Sequence, residues 1–575
     1  MQNTYITSKR NSQQKRRVIP GFGLTLGITI AMLSVFILIP LASVLLCSLR
    51  LSPSTFISII TDSKVLNAFI TSILCSFIAA IINCVFGLIL AWTLVRYSFP
   101  GKRIIDGLIE LPFALPTAVA GITLSKMYST TGELGGPLSK IGIKVSYTHI
   151  GLTLALVFIG IPFVVRTVQP VLEKLNSAYE ETAYIMGAGP FTAFRRVILP
   201  ELKGALLAGF GLALARGIGE YGSVIYISGN SAKEKTQVIS YIIMQKLNYM
   251  DYEGATAIAL VMLIISFILL LLINGAQILS ARRSVGIYEV APAAGAETIP
   301  VSKKAKACNI TISVIFVLIM LVMPLISVIR NSLEKGITFY LKTLSTGTVI
   351  SALRVTLIAT VIALIINTFF GIVASFALTR FDFKGKHILG ALIDIPFSIS
   401  PVIAGLSFIM MFGRLGWAYP IIEGINSALG TNIKIVFALP GVVLATIFVT
   451  FPFISREIIP VLNSVGTDEE EAAAAMGANG FTIFRRITFP HIKWSLIYGM
   501  ILCASRALGE FGAVNALSKT RGKTFTLPLE IDAFYMSGDS DSITAAFAVS
   551  SILVIIAVAV LVLRSIFESK SQKHS

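Results

Sequence analysis

The sequence predicts an all-α polytopic membrane protein with about twelve transmembrane helices, arranged as two tandem repeats of six. Its composition, its apolar windows and an internal duplication support this fold class. Only 13% of the 575 residues are charged and 55% are hydrophobic, and the mean hydropathy is +0.84. Soluble domains carry roughly a quarter charged residues because their surfaces must be solvated. The composition therefore excludes an ordinary soluble protein and indicates a surface that faces lipid.

The chain is strongly basic, with 47 Lys and Arg against 29 Asp and Glu and a formal charge of +18. In a membrane protein this balance indicates basic loops retained in the cytoplasm. We therefore expect a lipid bilayer and no nucleic acid as its partner. The five cysteines lie in or beside apolar runs and lack metal-ligand spacing, so we expect no metal site.

A helix needs about 20 mostly apolar residues to cross about 30 Å of hydrocarbon. Such windows recur twelve times, and the predicted spans are 18–49, 65–95, 104–128, 148–170, 202–227, 254–281, 308–329, 350–379, 388–413, 434–455, 492–516 and 542–567. The first follows a basic stretch and resembles a signal peptide. It is too long for a signal-peptide core and lacks a clear cleavage site, so we interpret it as an uncleaved span.

The distribution of Lys and Arg predicts a cytoplasmic N-terminus, because basic residues are then more frequent in the cytoplasmic connections. Twelve crossings return the C-terminus to the cytoplasm. A basic segment around Ala, Pro and Gly residues indicates a cytoplasmic linker at 282–306. We therefore predict a first repeat at 1–281 and a second at 307–575.

Internal duplication is the most informative feature of the chain. Residues 160–224 match 450–514 without a gap at a fixed offset of 290, and a second match at an offset of 284 aligns positions between 96 and 121 with positions between 380 and 405. Because each half has six crossings, both keep the same orientation, and the pseudo-two-fold axis relating them runs along the membrane normal. A pathway on that axis would be lined by the same helices from each half.

A polar segment rich in small residues lies between the fourth and fifth predicted spans of each half. It reads Glu180-Glu181-Thr182-Ala183 in the first half and Glu470-Glu471-Ala472-Ala473 in the second. Ala permits close approach to another protein, and Glu in a first helical turn suits the helix dipole. A solvated surface helix is the alternative. Because the segment occurs at the same register in both repeats, docking on another protein is the favoured interpretation.

Each copy continues to a glycine and then a proline, which completes a recognisable motif. The motif resembles the permease signature of bacterial ATP-binding-cassette importers. That signature is Glu-Ala-Ala, then Gly six residues after the Glu, an aliphatic residue ten positions after the Gly, and Pro three positions beyond it. The resemblance implies a type I importer permease in the bacterial inner membrane, whose short helix docks on an ATPase. The implied ATPase-coupling residues are Glu180, Glu181, Ala183, Gly187, Pro200, Glu471, Ala472, Ala473, Gly477 and Pro490. We expect the glycines to turn the chain and the prolines to help start the next span.

The resemblance also implies partners: two cytoplasmic ATPase subunits and a periplasmic or lipid-anchored substrate-binding protein. Gly522-Lys523-Thr524 resembles the end of a phosphate-binding loop, but Leu517 stands where a glycine is required. We therefore expect no enzyme activity and no cofactor on this chain, with ATP and Mg²⁺ bound by the partner ATPase. The four histidines form no catalytic arrangement.

An Arg and a Glu recur four residues apart in the fifth span of each half. Such residues are costly in lipid unless they face a bundle interior or a water-filled path, and their spacing places them on one helical face. They either brace the helix or form a weakly positive passage suited to an anion. The candidate substrate-pathway residues are Arg216, Gly219, Glu220, Gly222, Arg506, Gly509, Glu510 and Gly512.

Local motifs around these residues indicate the cargo. Segments 219–230 and 251–259 are similar to one permease subunit of sulfate/thiosulfate importers, and 507–514 with 521–529 to the other subunit and to molybdate permeases. The resemblance implies import of sulfate, thiosulfate or a related oxyanion through two fused subunits. A fused permease for ferric iron, molybdate or thiamine is the closest alternative. A twelve-span secondary transporter would leave the paired acidic segments unexplained.

Prolines interrupt the third predicted span of each half at Pro112, Pro116, Pro396 and Pro401. They would break the helix and expose backbone groups, which a protein-lined cavity tolerates and lipid does not. A packed kink is the simpler interpretation, and we expect it here.

Overall fold

The computed structural model describes residues 21–175, 178–283 and 303–571, and no strand occurs in these ranges. The remaining residues, including most of the predicted linker at 282–306, lie outside the described part. Within the described part, ten helices are long and apolar enough to span a membrane: Phe22–Ser48, Ser63–Arg96, His149–Lys174, Pro190–Ile218, Tyr252–Ile273, Lys304–Ser332, Gly347–Arg380, Leu439–Val465, Gly480–Leu508 and Ser540–Val560. They match ten of the twelve predicted spans.

The third span of each half is broken, which corrects the continuous spans predicted at 104–128 and 388–413. In the first half, Lys102–Phe113 and Thr117–Met127 are bent by 106° with respect to each other. Leu115 has ψ 129° because the following proline excludes its helical conformation. The second half breaks before Pro401, where Ser400 has ψ 132°. The expected packed kink is therefore a full interruption of the helix.

Among the residues that the structure describes, four π-helical turns recur at equivalent places in the two halves, at Ser34–Leu38, Phe194–Ile198, Leu318–Val322 and Phe484–Thr488. Each ends two residues before a proline, at Pro40, Pro200, Pro324 or Pro490. A proline ring clashes with the carbonyl four residues earlier, and a widened turn relieves this clash. Pro200 and Pro490 lie in the first turn of the long α-helices Leu199–Ile218 and Phe489–Leu508, as expected of residues that help start a helix. The spans themselves begin earlier, at residues 190 and 480, because a short helix and the π-helical turn precede each proline.

The two halves interlock through their first spans, each of which packs on the other half. Phe22 makes an edge contact with Phe381, with ring centroids 5.1 Å apart. In the reciprocal contact, Phe316 stacks on Phe86 at 4.6 Å. The core is consequently shared between the halves, and the centre of the bundle lies at their interface.

Candidate functional site

A central cavity of about 40 Å³ lies between the halves. It is lined by Pro112, Phe113, Leu115, Thr117, Ile159, Phe163 and Arg216 from the first half, and by Pro396, Phe397, Ile399, Pro401, Val449, Phe453, Arg506 and Gly509 from the second. Every residue of the first set has its repeat equivalent in the second. The volume is enough for a few water molecules. The broken third spans and the ends of the fifth spans therefore enclose one quasi-symmetric chamber.

Both predicted Arg–Glu pairs are present at this chamber. Arg216 Nη2 lies 2.7 Å from Glu220 Oε2, and Arg506 Nη2 lies 2.7 Å from Glu510 Oε2. The glutamate side chains are 1% exposed, whereas the arginines keep 13% and 12% exposure. Each pair therefore braces the end of its helix, and each guanidinium still faces the cavity. Bracing of the helix and a weakly positive passage for an anion are thus compatible interpretations of the pair.

The glutamates are fixed on their other side by the backbone that follows each fifth span. Glu220 Oε1 accepts hydrogen bonds from the Ser223 N–H at 3.0 Å and from its hydroxyl at 3.1 Å. Glu510 Oε1 accepts the Ala513 N–H at 2.9 Å. Charge-assisted bonds of this kind are strong in a dry interior. They hold each carboxylate against its arginine and fix the positions of both guanidinium groups.

Four of the predicted glycines provide close packing around the chamber. A Cβ at Gly219 would lie 3.0 Å from Cα of Ser400, and one at Gly509 would lie 3.1 Å from Cα of Pro116. Each contact joins the fifth span of one half to the broken third span of the other. Gly222 is confined within its own half by Thr117, and Gly512 less tightly by Pro401. Larger residues at Gly219 and Gly509 would therefore force the halves apart.

The acidic segments form two short helices, Ala178–Ile185 and Asp468–Ala475, called here the acidic helices. Glu180 and Ala183 are buried in the first, as are Glu470 and Ala473 in the second. Of the predicted coupling residues in the second helix, Glu471 and Ala472 are exposed. Glu181 belongs to the first helix, and its side chain lies outside the described part. The Glu180 carboxylate thus faces the bundle, although sequence reasoning placed it among the contact residues.

Glycines end both acidic helices in the left-handed conformation, as expected. Gly187 has φ 83° and Gly477 has φ 88°. Ala188 N–H bonds the Ala183 carbonyl at 2.9 Å, and Ala478 N–H bonds the Ala473 carbonyl at 3.0 Å. This Schellman pattern favours glycine at the turn. The turn directs the chain back towards the fifth span.

Exposed apolar side chains surround these turns at equivalent positions. Met186 and Met476 are both 82% exposed, and Phe191 and Phe481 are 74% and 72% exposed. An apolar cluster in a polar connection marks an interaction surface. Sequence reasoning missed these residues, although their recurrence in both halves could have revealed them.

Comparison with known proteins places these features in context. The family model described as "Binding-protein-dependent transport system inner membrane component" matches twice, at residues 83–285 and 367–572. The sulfate transport system permease protein CysT of Salmonella typhimurium is 46% identical over 271 residues, which is 47% of this chain and 98% of that protein. The CysT protein of Escherichia coli is 47% identical with the same coverage. The sulfate transport system permease protein CysW of Synechococcus elongatus is 42% identical over 46% of this chain and 90% of that protein.

Proposed function

The chain belongs to the family of binding-protein-dependent transport system inner membrane components, and from this premise we propose that it carries sulfate or a related oxyanion across the membrane. It is a multi-pass permease of an ATP-binding-cassette importer, and two permease units are fused in one chain. Its relatives named CysT and CysW are sulfate permeases, each spanning about half of this chain. The structural observation that supports an anionic cargo is that Arg216 and Arg506 line the same chamber.

The chemistry of the chamber suits an anion that must bind and then leave. Guanidinium groups present several N–H donors in a fork that matches oxyanion oxygens. Each arginine is already paired with a glutamate. This pairing limits the net positive charge, and a conducting site must bind weakly enough to release its cargo. The chain performs no covalent step.

We further propose that the acidic helices lie on the cytoplasmic face and that each docks on one ATPase subunit. The exposed Met186 and Phe191, and their equivalents Met476 and Phe481, support this assignment. ATP-driven closure of the ATPases would move both helices and open the chamber outward, and hydrolysis would reset it. ATP and Mg²⁺ would be bound by the ATPases. We also propose that both termini lie in the cytoplasm and that the segment 282–306 links the two halves there; the excess of Lys and Arg in the connections predicted to be cytoplasmic supports this orientation.

Competition for uptake tests the cargo. Cells expressing the chain with its ATPase and binding protein would be given labelled sulfate in the presence of excess thiosulfate, molybdate, ferric iron or thiamine. We expect thiosulfate, an oxyanion of the same charge, to reduce the uptake of label. Competition by thiamine or ferric iron alone would contradict an oxyanion permease.

A further inference from the structure

A buried ion pair ties each acidic helix to the end of the second span in its own half. In the first half, Arg96 Nη2 lies 2.7 Å from Glu180 Oε1. In the second, Arg380 Nε lies 2.6 Å from Glu470 Oε2, and Arg380 Nη2 donates to Glu470 Oε1 at 3.1 Å. The two glutamate side chains are only 2% and 3% exposed. The pairs are repeat equivalents, so the same connection was built in both halves.

The same arginines also hold the end of the fourth span. Arg96 Nη2 donates to the Leu175 carbonyl at 3.3 Å, and Arg380 Nη1 donates to the Leu462 carbonyl at 2.8 Å. In the second half the Thr488 hydroxyl donates to Glu470 Oε1 at 2.7 Å. Thr488 ends the π-helical turn within the fifth span, Gly480–Leu508. Through one arginine, each acidic helix is therefore joined to the ends of the second and fourth spans, and the acidic helix of the second half is bonded to the fifth span as well.

Stability alone does not account for these pairs. Burying two charges costs desolvation free energy, and a well-packed apolar pair is often as stable. A buried pair differs from an apolar contact in its directional bonds and in the large penalty for separating its charges. The acidic helix consequently cannot slide over the span ends without breaking the pair.

We propose that the Arg96–Glu180 and Arg380–Glu470 pairs are the connections through which movement of the acidic helices reaches the second and fourth spans. This inference rests on the proposed function. The inference gives the two consecutive glutamates of the second acidic helix different roles. The buried Glu470 positions the helix, and the exposed Glu471 remains on the surface that is available to the ATPase. These inward glutamates and their arginines are thus positioning residues and contact neither cargo nor nucleotide.

The test measures sulfate imported per ATP hydrolysed. The permease, its ATPase and its binding protein are reconstituted in proteoliposomes as the unmodified chain, as Glu180→Gln/Glu470→Gln, and as Asp382→Asn. Glutamine keeps the shape of the side chain and removes the charge. Asp382 forms an exposed ion pair with Lys386 in the connection after the second span and serves as the matched control. The glutamine variant should keep its ATPase bound and keep hydrolysing ATP, while sulfate imported per ATP falls about tenfold through loss of charge-assisted bonds.

Other outcomes overturn the inference in distinguishable ways. An unchanged ratio, or import and hydrolysis that fall in parallel, would mean that the pairs only stabilise the fold. If the glutamine variant fails to assemble, the same ratio is measured for Arg96→Lys/Arg380→Lys, because lysine keeps the positive charge but lacks the forked N–H donors of the guanidinium. A normal ratio of sulfate to ATP would contradict the inference, and a lowered ratio would support it. Failure of the unmodified chain to import sulfate with ATP would count against the proposed function itself.

Discussion

The ring of Tyr221 stacks on the ring of Phe511, with centroids 5.7 Å apart and planes inclined by only 10°. The two residues are 290 positions apart and occupy the same place in their repeats. Equivalent rings can face each other in this way only if the pseudo-two-fold axis passes between them. Each ring directly follows the glutamate of an Arg–Glu pair, so the axis also passes beside the chamber. The prediction that repeated residues face each other across the axis is confirmed here.

The arginines of the chamber should be required for anion transport. Replacing Arg506 together with Glu510 by glutamine removes the guanidinium without leaving a buried unpaired charge. We expect sulfate uptake to fall at least about tenfold, because charged hydrogen bonds contribute about 1.5–3 kcal/mol each. Uptake and the amount of membrane-inserted protein are measured together. Normal uptake by the double variant would assign the pair to bracing alone.

The left-handed glycine that ends each acidic helix should be more important for ATPase binding than a nearby glycine in an ordinary conformation. Gly187 has φ 83°, and an alanine there costs about 1–2 kcal/mol in backbone strain. Gly189 has φ −71° and open space around its Cα, so it is the matched control. We expect Gly187→Ala, but not Gly189→Ala, to weaken ATPase binding and ATP-dependent uptake. Equal effects of the two substitutions would argue against a role for the turn.

The exposed apolar cluster should bind the ATPase. Met476→Ser and Phe481→Ser each remove apolar surface, and burial of such a side chain contributes roughly 1.5–3 kcal/mol. The expected result is a weaker complex, measured by co-purification of the ATPase at increasing dilution. Met536→Ser is the control, since Met536 is 57% exposed in the helix Leu527–Ser537, far along the chain from the acidic helix. Loss of the ATPase from the control variant as well would exclude a specific contact.

Asp532 should make stability depend on pH. Burial raises the pKa of this carboxyl, against the opposing hydrogen bond from Tyr226 at 2.7 Å and the charge of Lys519. Because the folded state binds this proton more tightly, the contribution of Asp532 is most favourable at low pH and is lost as pH rises above the ordinary value of 3.8. We expect Asp532→Asn to be more stable than the parent chain at neutral pH and to show a weaker pH dependence of the thermal midpoint.

Asp539 provides a control of opposite sign. The Ser542 N–H donates to Asp539 Oδ2 at 2.9 Å, and this bond lowers the pKa of the carboxyl. Its stabilisation is therefore present above the ordinary pKa and is lost as pH falls. Asp539→Asn should remove stability at neutral pH, whereas Asp532→Asn should add it. The same direction of change in both variants would contradict the assigned environments.

The sequence predicts the elements governed by local pattern. Apolar windows located ten spans, eight of them to within about ten residues at each end, but they placed the fifth span of each half about ten residues too late. The spacing of Arg216 and Glu220 predicted their pairing. Hydropathy averages over a window, however, and cannot distinguish a kink from a full break at Pro116. The sequence of two consecutive glutamates also does not show which one is buried. Successive helical residues point about 100° apart, and tertiary packing determines which side chain faces the bundle. The partner of Glu180 is Arg96, 84 positions away, which no local pattern connects to it.

We propose that the chain draws its energy from a separate ATPase through the two acidic helices. Sulfate uptake into proteoliposomes that contain the purified chain, with and without its ATPase and binding protein, separates this energy source from an imposed proton or sodium gradient. We predict uptake only when the ATPase, the binding protein and ATP are all present, and no response to either gradient alone. Sulfate accumulation driven by an ion gradient in vesicles that lack the ATPase would show that the chain is a secondary transporter.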